Sequence, residues 1–269
     1  MIKAVIFDMY ETLITLFESS LYFGNQMAVD ADIPKDKFQE SWSPTEYDRS
    51  IGKMPLEEAL KIVLVNNNCY TKELLDKLVY KRIATKEESF NHIHPEIIPL
   101  LNRLKACGIK IGLISNCFSE EVYVIEKSIL YPYFESVCLS YKEGIVKPNT
   151  EIYIRCMAKL NVKAEECLYV GDGGSQELET ARTLGMQTIQ AVWYFKEGSL
   201  QPSGKKQSFD QVENPLDIMS YIKTYCDDIA RIIQWFKKDY HVFRDFYNAV
   251  SIYILQIGEL AKSPVDSNG

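Results

Sequence analysis

The chain has 269 residues, of which 30 are Lys or Arg and 37 are Asp or Glu, so its net charge is −7. Its 46% hydrophobic and 25% charged residues are typical of a globular protein and exclude a disordered chain, a collagen or a basic nucleic-acid-binding arm. No apolar stretch is long enough to span a bilayer, so we expect a cytoplasmic protein that binds neither membranes nor nucleic acids.

The first apolar run, Ala4–Phe7, has the composition of a buried strand, and the segment after it contains only helical patterns. These patterns cover Leu21–Asp30, Lys35–Trp42, Leu56–Val65 and Lys72–Ser89. Ligands of open α/β sheets bind beyond the carboxyl ends of the strands. We therefore predict that residues 15–91 form a helical cap over a site at the end of the first strand.

From residue 92 onward, apolar runs alternate with helical patterns. The predicted strands are Ile109–Ile114, Val137–Leu139, Cys167–Val170 and Thr188–Val192, and the predicted helices are Pro95–Cys107, Ser119–Leu130, Thr150–Leu160 and Gln176–Leu184. This alternation is typical of βαβ units in a parallel sheet. The sequence thus predicts the α/β class, with a Rossmann-like parallel sheet core from residues 1–14 and 92–222, an inserted α-helical cap and a C-terminal helical extension.

The C-terminal part of the chain differs from the predicted core. The Gly-, Pro- and Ser-containing stretch Lys196–Asn214 predicts a loop, and Ile218–Ala261 has the apolar stripe of a helix. Within the helical tail, residues 223–269, the pieces Phe246–Val250 and Gln256–Glu259 resemble part of the HepT-like helical proteins. The tail is therefore either a fragment of such a protein or an extension that packs on the core or forms a homodimer surface.

The cysteines indicate a reducing compartment. There are seven of them, an odd number, and no two are spaced as Cys-x-x-Cys. We therefore expect buried free thiols rather than a disulfide framework or a zinc site.

Polar residues follow four of the predicted strands near the point where each strand ends. They are Asp8 after the first strand, Ser115 and Asn116 after the second, Lys147 after the third, and Asp172 with the nearby Glu177 after the fourth. The carboxyl ends of parallel strands meet at one edge of a sheet, so these groups are expected to converge there. Each alone would be a turn, a cap or a surface charge, but the ordered set indicates a site.

This ordered set resembles the haloacid dehalogenase-like (HAD) hydrolase superfamily, in its subclass with a helical cap, over residues 1–222. The resemblance implies a phosphoric monoester hydrolase in which Asp8 is the nucleophile and forms an aspartyl-phosphate. It also implies Mg²⁺ as the cofactor, held by Asp8, the main-chain carbonyl of Tyr10 and Asp172. Glu177 would act on the metal through water.

The same resemblance suggests roles for further residues. Ser115 would donate to a phosphoryl oxygen, Asn116 would position a small phosphorylated metabolite, and Lys147 would neutralise charge in the transition state. Thr12 also belongs to the implied catalytic set. In the cap, two basic residues flank Gly52 and are either substrate-binding groups or the solvated charges of a turn, namely Arg49 and Lys53.

Tyr10 departs from the pattern of HAD phosphatases. These enzymes usually carry a second Asp at this position, which protonates the leaving alcohol and then activates water. A phenol titrates near ~10 and is a poor base at neutral pH, and loss of a general acid–base group lowers rates by ~10²–10⁴-fold. The adjacent Glu11 is a substitute in principle, but we expect its side chain to point away from the site.

Two alternative functions remain open. The Tyr replacement resembles the 2-haloacid dehalogenase branch, which acts on halogenated substrates. This chain also matches that branch at Asp8, Thr12, Ser115, Lys147 and Tyr153. Residues 14–48, however, lack the Arg that this branch carries early in the cap. In addition, Asp172, after the fourth predicted strand, is typical of the metal-binding members of the superfamily rather than of this branch. The other alternative is a catalytically weak phosphate-binding module.

Overall fold

The computed structural model describes residues 1–198 and 203–222, which contain a six-stranded sheet. Its strands are β1 (Ala4–Phe7), β2 (Lys110–Ser115), β3 (Ser136–Leu139), β4 (Cys167–Gly171), β5 (Gln187–Ala191) and β6 (Asp210–Val212). The strand order is β3-β2-β1-β4-β5-β6, and every neighbouring pair is parallel. The chain moves outward from β1 through β3 and returns beside β1 with β4. This reversal creates the crevice in which open α/β sheets bind ligands.

The predicted parallel sheet and α/β class are confirmed, and the apolar strands are buried on both faces. Ala4 and Ile6 of β1 pack into one hydrophobic cluster, and Val5 and Phe7 pack into another. Successive side chains of a strand point to opposite faces. A strand covered on both sides therefore has no polar face, which explains the continuous apolar run in the sequence.

Of the six helices between β1 and β2 in the chain, the first five lie within residues 15–91. They are α1 (Gly24–Asp30), α2 (Lys35–Trp42), α3 (Glu46–Ser50), α4 (Leu56–Asn66) and α5 (Lys72–Ser89). Four of them, α1, α2, α4 and α5, contribute to a hydrophobic cluster of their own, which includes Phe38, Trp42 and Leu60. Four of the five match the helical patterns of the sequence, whereas α3 is too short to show a periodicity. The division into a cap of residues 15–91 and a core stays a prediction.

The remaining helices accompany β2 to β5. They are α6 (Ile97–Ala106), α7 (Ser119–Lys127), α8 (Ser140–Glu143), α9 (Thr150–Leu160) and α10 (Glu177–Thr183). Short 3-10 turns cover Ser43–Thr45, Tyr131–Tyr133, Ala164–Glu166, Gly174–Gln176 and Pro215–Tyr221. No helix within the two described ranges is long and apolar enough to cross a membrane. As expected, free thiols are found at Cys69, Cys117, Cys138, Cys156 and Cys167.

Three local expectations were wrong. The predicted loop Lys196–Asn214 contains β6, whose three residues become a strand only by pairing with β5, where Val212 lies opposite Ala191. Helix α7 ends at Lys127 rather than Leu130, because Ser128 has an extended backbone. Residues 218–221 form part of a 3-10 turn rather than an α-helix. The tail and its HepT-like and homodimer interpretations lie outside the described residues.

Two buried ion pairs join α5 to α7. Arg82 Nε lies 3.0 Å from Glu120 Oε1, and Lys86 Nζ lies 2.6 Å from Glu121 Oε1, with all four side chains at most 5% exposed. Burial lowers the pKa of Lys86, and the Glu121 carboxylate beside it acts in the opposite sense. A buried charge that loses its partner is costly, so these pairs hold the two helices together.

We expect Glu121→Gln to lower the free energy of unfolding by about 3–5 kcal/mol, because it leaves the Lys86 ammonium buried without a counter-charge. Gln keeps a carbonyl oxygen that can accept the hydrogen bond now made by the Phe118 N–H at 2.9 Å. Urea denaturation measures the change. The matched control is Glu126→Gln, which removes an exposed pair with Lys142 and should cost at most about 1 kcal/mol. Equal effects of the two substitutions would contradict this account.

Candidate active site

Asp8 lies directly after β1, at the reversal of the strand order. Its backbone N–H donates to Val170 O at 2.9 Å, so it sits beside the end of β4. Lys147 reaches Asp8 from the loop between α8 and α9, and its Nζ is 2.5 Å from Asp8 Oδ1. Both side chains are at most 8% exposed. The structure thus brings together two residues 139 positions apart in the chain.

Asn116 holds the backbone of Lys147. The Lys147 N–H donates to Asn116 Oδ1 at 2.8 Å, and Asn116 Nδ2 donates to Lys147 O at 3.2 Å. Its Nδ2 also lies 3.4 Å from Ser175 Oγ. Asn116 therefore positions Lys147 in addition to lining the site, a task that the sequence pattern did not indicate.

Three carboxylates converge at the same edge of the sheet. Asp8, Asp172 and Glu177 each offer an oxygen, and these oxygens lie within 4.8 Å of one another. Asp172 Oδ1 accepts a hydrogen bond from the Gly174 N–H at 2.9 Å. Gly171 makes the arrangement possible, because a Cβ atom there would lie 2.0 Å from Glu177 Oε1.

Glu177 is the most constrained of the three. Its Oε1 accepts from the Gly173 N–H at 3.0 Å, and its Oε2 accepts from the Tyr169 hydroxyl at 2.9 Å. Lys147 Nζ also donates to Oε2. With both oxygens already bonded, Glu177 is less available as a direct metal ligand than Asp8 or Asp172. Its contact with the metal through water stays a prediction.

The electrostatics of the site reflect burial and an excess of negative charge. Burial raises the pKa of Asp8 to about 7, against the opposing charge of Lys147, and Glu177 raises it further. Burial also raises the pKa of Asp172 and of Glu177. Burial alone would lower the pKa of Lys147, but Asp8 and Glu177 outweigh it and raise that pKa. Lys147 is therefore a permanent cation that only partly neutralises its surroundings.

This donor set fits Mg²⁺. The ion prefers hard oxygen ligands and usually binds through one or two carboxylates together with water and substrate phosphate. Asp8 and Asp172 are buried or half-buried, lie close together and carry excess negative charge. Burial, together with repulsion between the carboxylates, raises the pKa of both groups, and a divalent cation would favour their charged forms.

Tyr10 lies in the same site but makes no polar contact that would help catalysis. Its hydroxyl is buried and finds no hydrogen-bond partner within residues 1–198 and 203–222. Burial raises its pKa well above the ordinary value, and the Glu121 carboxylate adds to this rise. Lys86 Nζ lies 5.4 Å from the centroid of the ring. Tyr10 is therefore held as a neutral phenol and is unsuited to act as a base.

A cavity of about 300 Å³ connects these groups. It is lined by Asp8, Tyr10, Glu11, Leu16, Phe17, Phe23, Asn116, Lys147, Asp172, Gly174, Ser175 and Glu177. Six of these were predicted as site residues from the sequence. The roles implied for each of them by the family resemblance stay predictions.

Four predicted residues are not among those that line the cavity. Ser115 is fully buried, and its Oγ donates to Asn116 O at 3.3 Å. Thr12 is also fully buried, and its hydroxyl has no partner in the described part of the chain. Lys53 is exposed. Arg49 is buried between two rings, with Cζ 3.8 Å from the centroid of Trp42 and 4.4 Å from that of Phe118.

Five side chains of the cavity were not predicted as site residues from the sequence. Glu11, expected to point away, lines the cavity from the turn after β1, where its backbone has a left-handed φ of 58°. Its carboxylate accepts from Thr15 Oγ1 at 2.7 Å and from the Leu16 N–H at 2.8 Å. The others are Leu16, Phe17, Phe23 and Ser175. Leu16 and Phe17 precede the first helical pattern of the sequence, and Phe23 lies within the pattern Leu21–Asp30, which does not mark it as a cavity residue.

Comparison with known proteins agrees with this geometry. Residues 2–185 match the family model of the haloacid dehalogenase-like hydrolases. A glyceraldehyde 3-phosphate phosphatase of Methanopyrus kandleri is 26% identical over 249 residues, which cover 85% of this chain and 100% of that protein.

Solved structures have the same fold. A 2-haloacid dehalogenase of Pseudomonas syringae pv. Tomato DC3000 superposes with a TM-score of 0.59 at 20% identity, over 82% of this chain and 97% of that one. A variant of the HAD family enzyme bt-2542 of Bacteroides thetaiotaomicron, in complex with magnesium and inorganic phosphate, gives a TM-score of 0.54 at 17% identity, over 75% and 98%. At these identities the likeness shows the fold alone.

Proposed function

This chain belongs to the haloacid dehalogenase-like hydrolases, and we propose that it is a Mg²⁺-dependent phosphatase. Its substrate is a small phosphorylated metabolite, and Asp8 carries the phosphoryl group as an aspartyl-phosphate. The observation that supports this most is the contact of Asp8 with Lys147 beside Asp172, in a cavity at the reversal of the strand order. The relative named as a phosphatase, aligned over 85% of this chain, adds support.

In the first step, a carboxylate oxygen of Asp8 attacks phosphorus, and the bond from phosphorus to the ester oxygen breaks. The electron pair of that bond leaves with the ester oxygen. Water then attacks the phosphorus of the aspartyl-phosphate, and inorganic phosphate departs as the Asp8 carboxylate re-forms. One proton of the water stays on the phosphate, and the other passes to solvent, where it balances the proton that the leaving oxygen takes up. Lys147 stays charged throughout and offsets the negative charge that gathers on the phosphoryl oxygens.

Asp8 and Asp172 would hold Mg²⁺, with Glu177 acting through water. When bound, the ion lets a carboxylate and a phosphate dianion approach each other despite their like charges. Glu177 has a second task in this chain, because it holds the Lys147 ammonium together with Asp8. Asn116 fixes the backbone of Lys147 and so keeps the ammonium directed at the reacting carboxylate.

Protonation of the leaving group is the step of the reaction that this site supports least. The neutral phenol of Tyr10 has a pKa raised well above its ordinary value, so it is a poor acid as well as a poor base. Glu11 is nearby, but its carboxylate is tied to its own loop through Thr15 and Leu16. The enzyme therefore favours phosphate esters whose leaving group departs as a stable anion.

Dehalogenation of 2-haloacids is the second candidate function, and Tyr10 is the observation that favours it. A halide leaves without a proton, so an acid at this position is unnecessary. A 2-haloacid, however, carries a carboxylate into a cavity that already has four carboxylates, from Asp8, Glu11, Asp172 and Glu177. The substrate would meet one ammonium, that of Lys147, which is bound to Asp8 and Glu177.

A paired product assay on the purified full chain separates these functions. We expect metal-dependent release of inorganic phosphate from acetyl phosphate and 4-nitrophenyl phosphate, and no release of halide from 2-haloacids. Chelation by EDTA should lower phosphate release by at least about 100-fold, and added Mg²⁺ should restore it. Halide release without metal would instead support the dehalogenase.

Binding of the metal can be measured without turnover. Because a ligand of the native state raises the melting temperature, Mg²⁺ alone should stabilise the wild type. Asp172→Asn should weaken that stabilisation, since it removes one of the two most available carboxylates. Phosphate release that is insensitive to EDTA, with no effect of Mg²⁺ on melting, would contradict the metal site.

The thiols support a cytoplasmic location. Four of the free cysteines are buried, namely Cys117, Cys138, Cys156 and Cys167. Free thiols are typical of reducing compartments, which agrees with a cytoplasmic enzyme.

A further inference from the structure

The cavity has two chemically different sides. One side carries the carboxylates, Asn116 and Lys147, which serve the reaction. The other side is an apolar wall made by Leu16, Phe17 and Phe23. Each of these three side chains is half-buried, and none packs into the hydrophobic clusters of the described residues. Their apolar surface is therefore used to line the cavity rather than to stabilise a core.

Hydrogen bonds hold the apolar wall in place. The Leu16 N–H donates to Glu11 Oε1 at 2.8 Å, and the Phe17 N–H donates to Thr15 Oγ1 at 3.1 Å. The Phe23 N–H donates to Gln26 Oε1 at 3.0 Å. The backbone that carries the wall is thus fixed before any substrate arrives, which reduces the ordering that binding would otherwise require.

Cations support the wall from the side of α5. Lys86 Nζ lies 5.6 Å and Arg82 Cζ lies 5.8 Å from the ring centroid of Phe23. These cations are already paired with Glu121 and Glu120. They fix the ring of Phe23 without adding a free positive charge to the cavity.

The charges of the cavity leave no partner for a second anionic group of a substrate. Among the described residues that line the cavity, Lys147 is the one basic residue, and its ammonium contacts Asp8 and Glu177. Glu11 adds a further carboxylate next to the apolar wall. A substrate that carried a carboxylate or second phosphate on its organic part would be repelled there.

We propose that the organic part of the substrate is small, uncharged and apolar or aromatic, and that it packs against Leu16, Phe17 and Phe23. This inference rests on the proposed phosphatase function and defines its substrate class. The cavity volume of about 300 Å³ is at the lower end of ligand pockets, which supports a small group. Aromatic groups are favoured because they stack on Phe17 and Phe23.

Two matched esters test the proposal on the full chain with Mg²⁺. 4-Ethylphenyl phosphate and 4-(carboxymethyl)phenyl phosphate have nearly the same shape, and a methylene insulates the reacting oxygen from the carboxylate. Their leaving phenols therefore have similar acidity, and the comparison isolates the charge of the organic part. We expect kcat/KM to be higher for 4-ethylphenyl phosphate than for 4-(carboxymethyl)phenyl phosphate by about 10-fold or more.

A charge placed in the apolar wall should reverse this preference. In Phe17→Lys, kcat/KM for 4-ethylphenyl phosphate divided by kcat/KM for 4-(carboxymethyl)phenyl phosphate should fall below one. The reason is that the new ammonium pairs with the substrate carboxylate. Ile129→Lys adds the same charge at an exposed site that is 66% accessible and should leave the ratio unchanged. If Phe17→Lys does not fold, as judged by circular dichroism, Leu16→Lys takes its place.

Acetyl phosphate separates a failure of this inference from a failure of the proposed function, because its organic part is too small to need the wall. The inference would be overturned if the wild type had an equal or higher kcat/KM for 4-(carboxymethyl)phenyl phosphate than for 4-ethylphenyl phosphate. It would also be overturned if the ratio of the two kcat/KM values were unchanged in a folded Phe17→Lys or Leu16→Lys variant. Absence of acetyl phosphate hydrolysis would overturn the proposed function itself, and the substrate class with it.

Discussion

Replacement of Asp8 by Asn is expected to lower kcat for phosphate release by at least about 10⁴-fold, because it removes the oxygen that attacks phosphorus. The amide has nearly the same shape as the carboxylate, and Lys147 keeps its contact with Glu177, so the fold should survive. The substitution also removes one negative charge from the cavity. Affinity for inorganic phosphate should therefore be retained or increased while turnover is lost. Phosphate release and calorimetric binding of inorganic phosphate measure the two effects.

The matched control is Asp36→Asn, an exposed carboxylate on α2 outside the cavity, which should have wild-type kcat. Wild-type turnover in Asp8→Asn would mean that another group is the nucleophile and would contradict the mechanism. If the wild type itself binds phosphate but releases none from any ester, and Asp8→Asn binds it equally well or better, the chain is a phosphate-binding module.

Replacement of Tyr10 by Asp is expected to raise kcat for alkyl phosphates by about 10²–10⁴-fold, because it introduces a carboxyl group that can protonate the leaving alcohol. Aryl phosphates with acidic phenols should gain little, since their leaving groups depart without a proton. In the wild type, log kcat should therefore fall steeply as the pKa of the leaving alcohol rises. In Tyr10→Asp this dependence should become shallow. Rates for a series from 4-nitrophenyl phosphate to ethyl phosphate measure both slopes.

Tyr10→Asn distinguishes proton transfer from the space created by removing a ring. It has the size of Asp but no acidic proton, so alkyl phosphates should remain poor substrates. Equal gains in Tyr10→Asn and Tyr10→Asp would show that the ring merely obstructs the site. A wild type that is indifferent to the leaving group would point to another proton donor, and Glu11→Gln tests the nearest one.

The sheet and most of the reactive residues are encoded in local patterns of the amino-acid sequence. Continuous apolar runs identified β1 to β5, since strands covered on both faces carry no polar alternation. Asp8, Asn116, Lys147 and Asp172 could be grouped from their positions in the sequence alone, because the carboxyl ends of parallel strands converge at one edge. The grouping follows from the local pattern and from the topology that the pattern requires.

The other side chains that reach the cavity are set by tertiary contacts. Leu16 and Phe17 come from a segment without periodicity, and Phe23 lies in a helical pattern that does not mark it as a cavity residue. Glu11 turns inward through a left-handed backbone that its own residue type does not favour. Arg49, a basic residue suited to anion binding, is instead buried between Trp42 and an aromatic ring 69 positions further along the chain. The placements of Arg49 and of the Phe23 ring depend on residues far away in the chain, namely Phe118 for Arg49 and Arg82 and Lys86 for Phe23, and no local pattern encodes them.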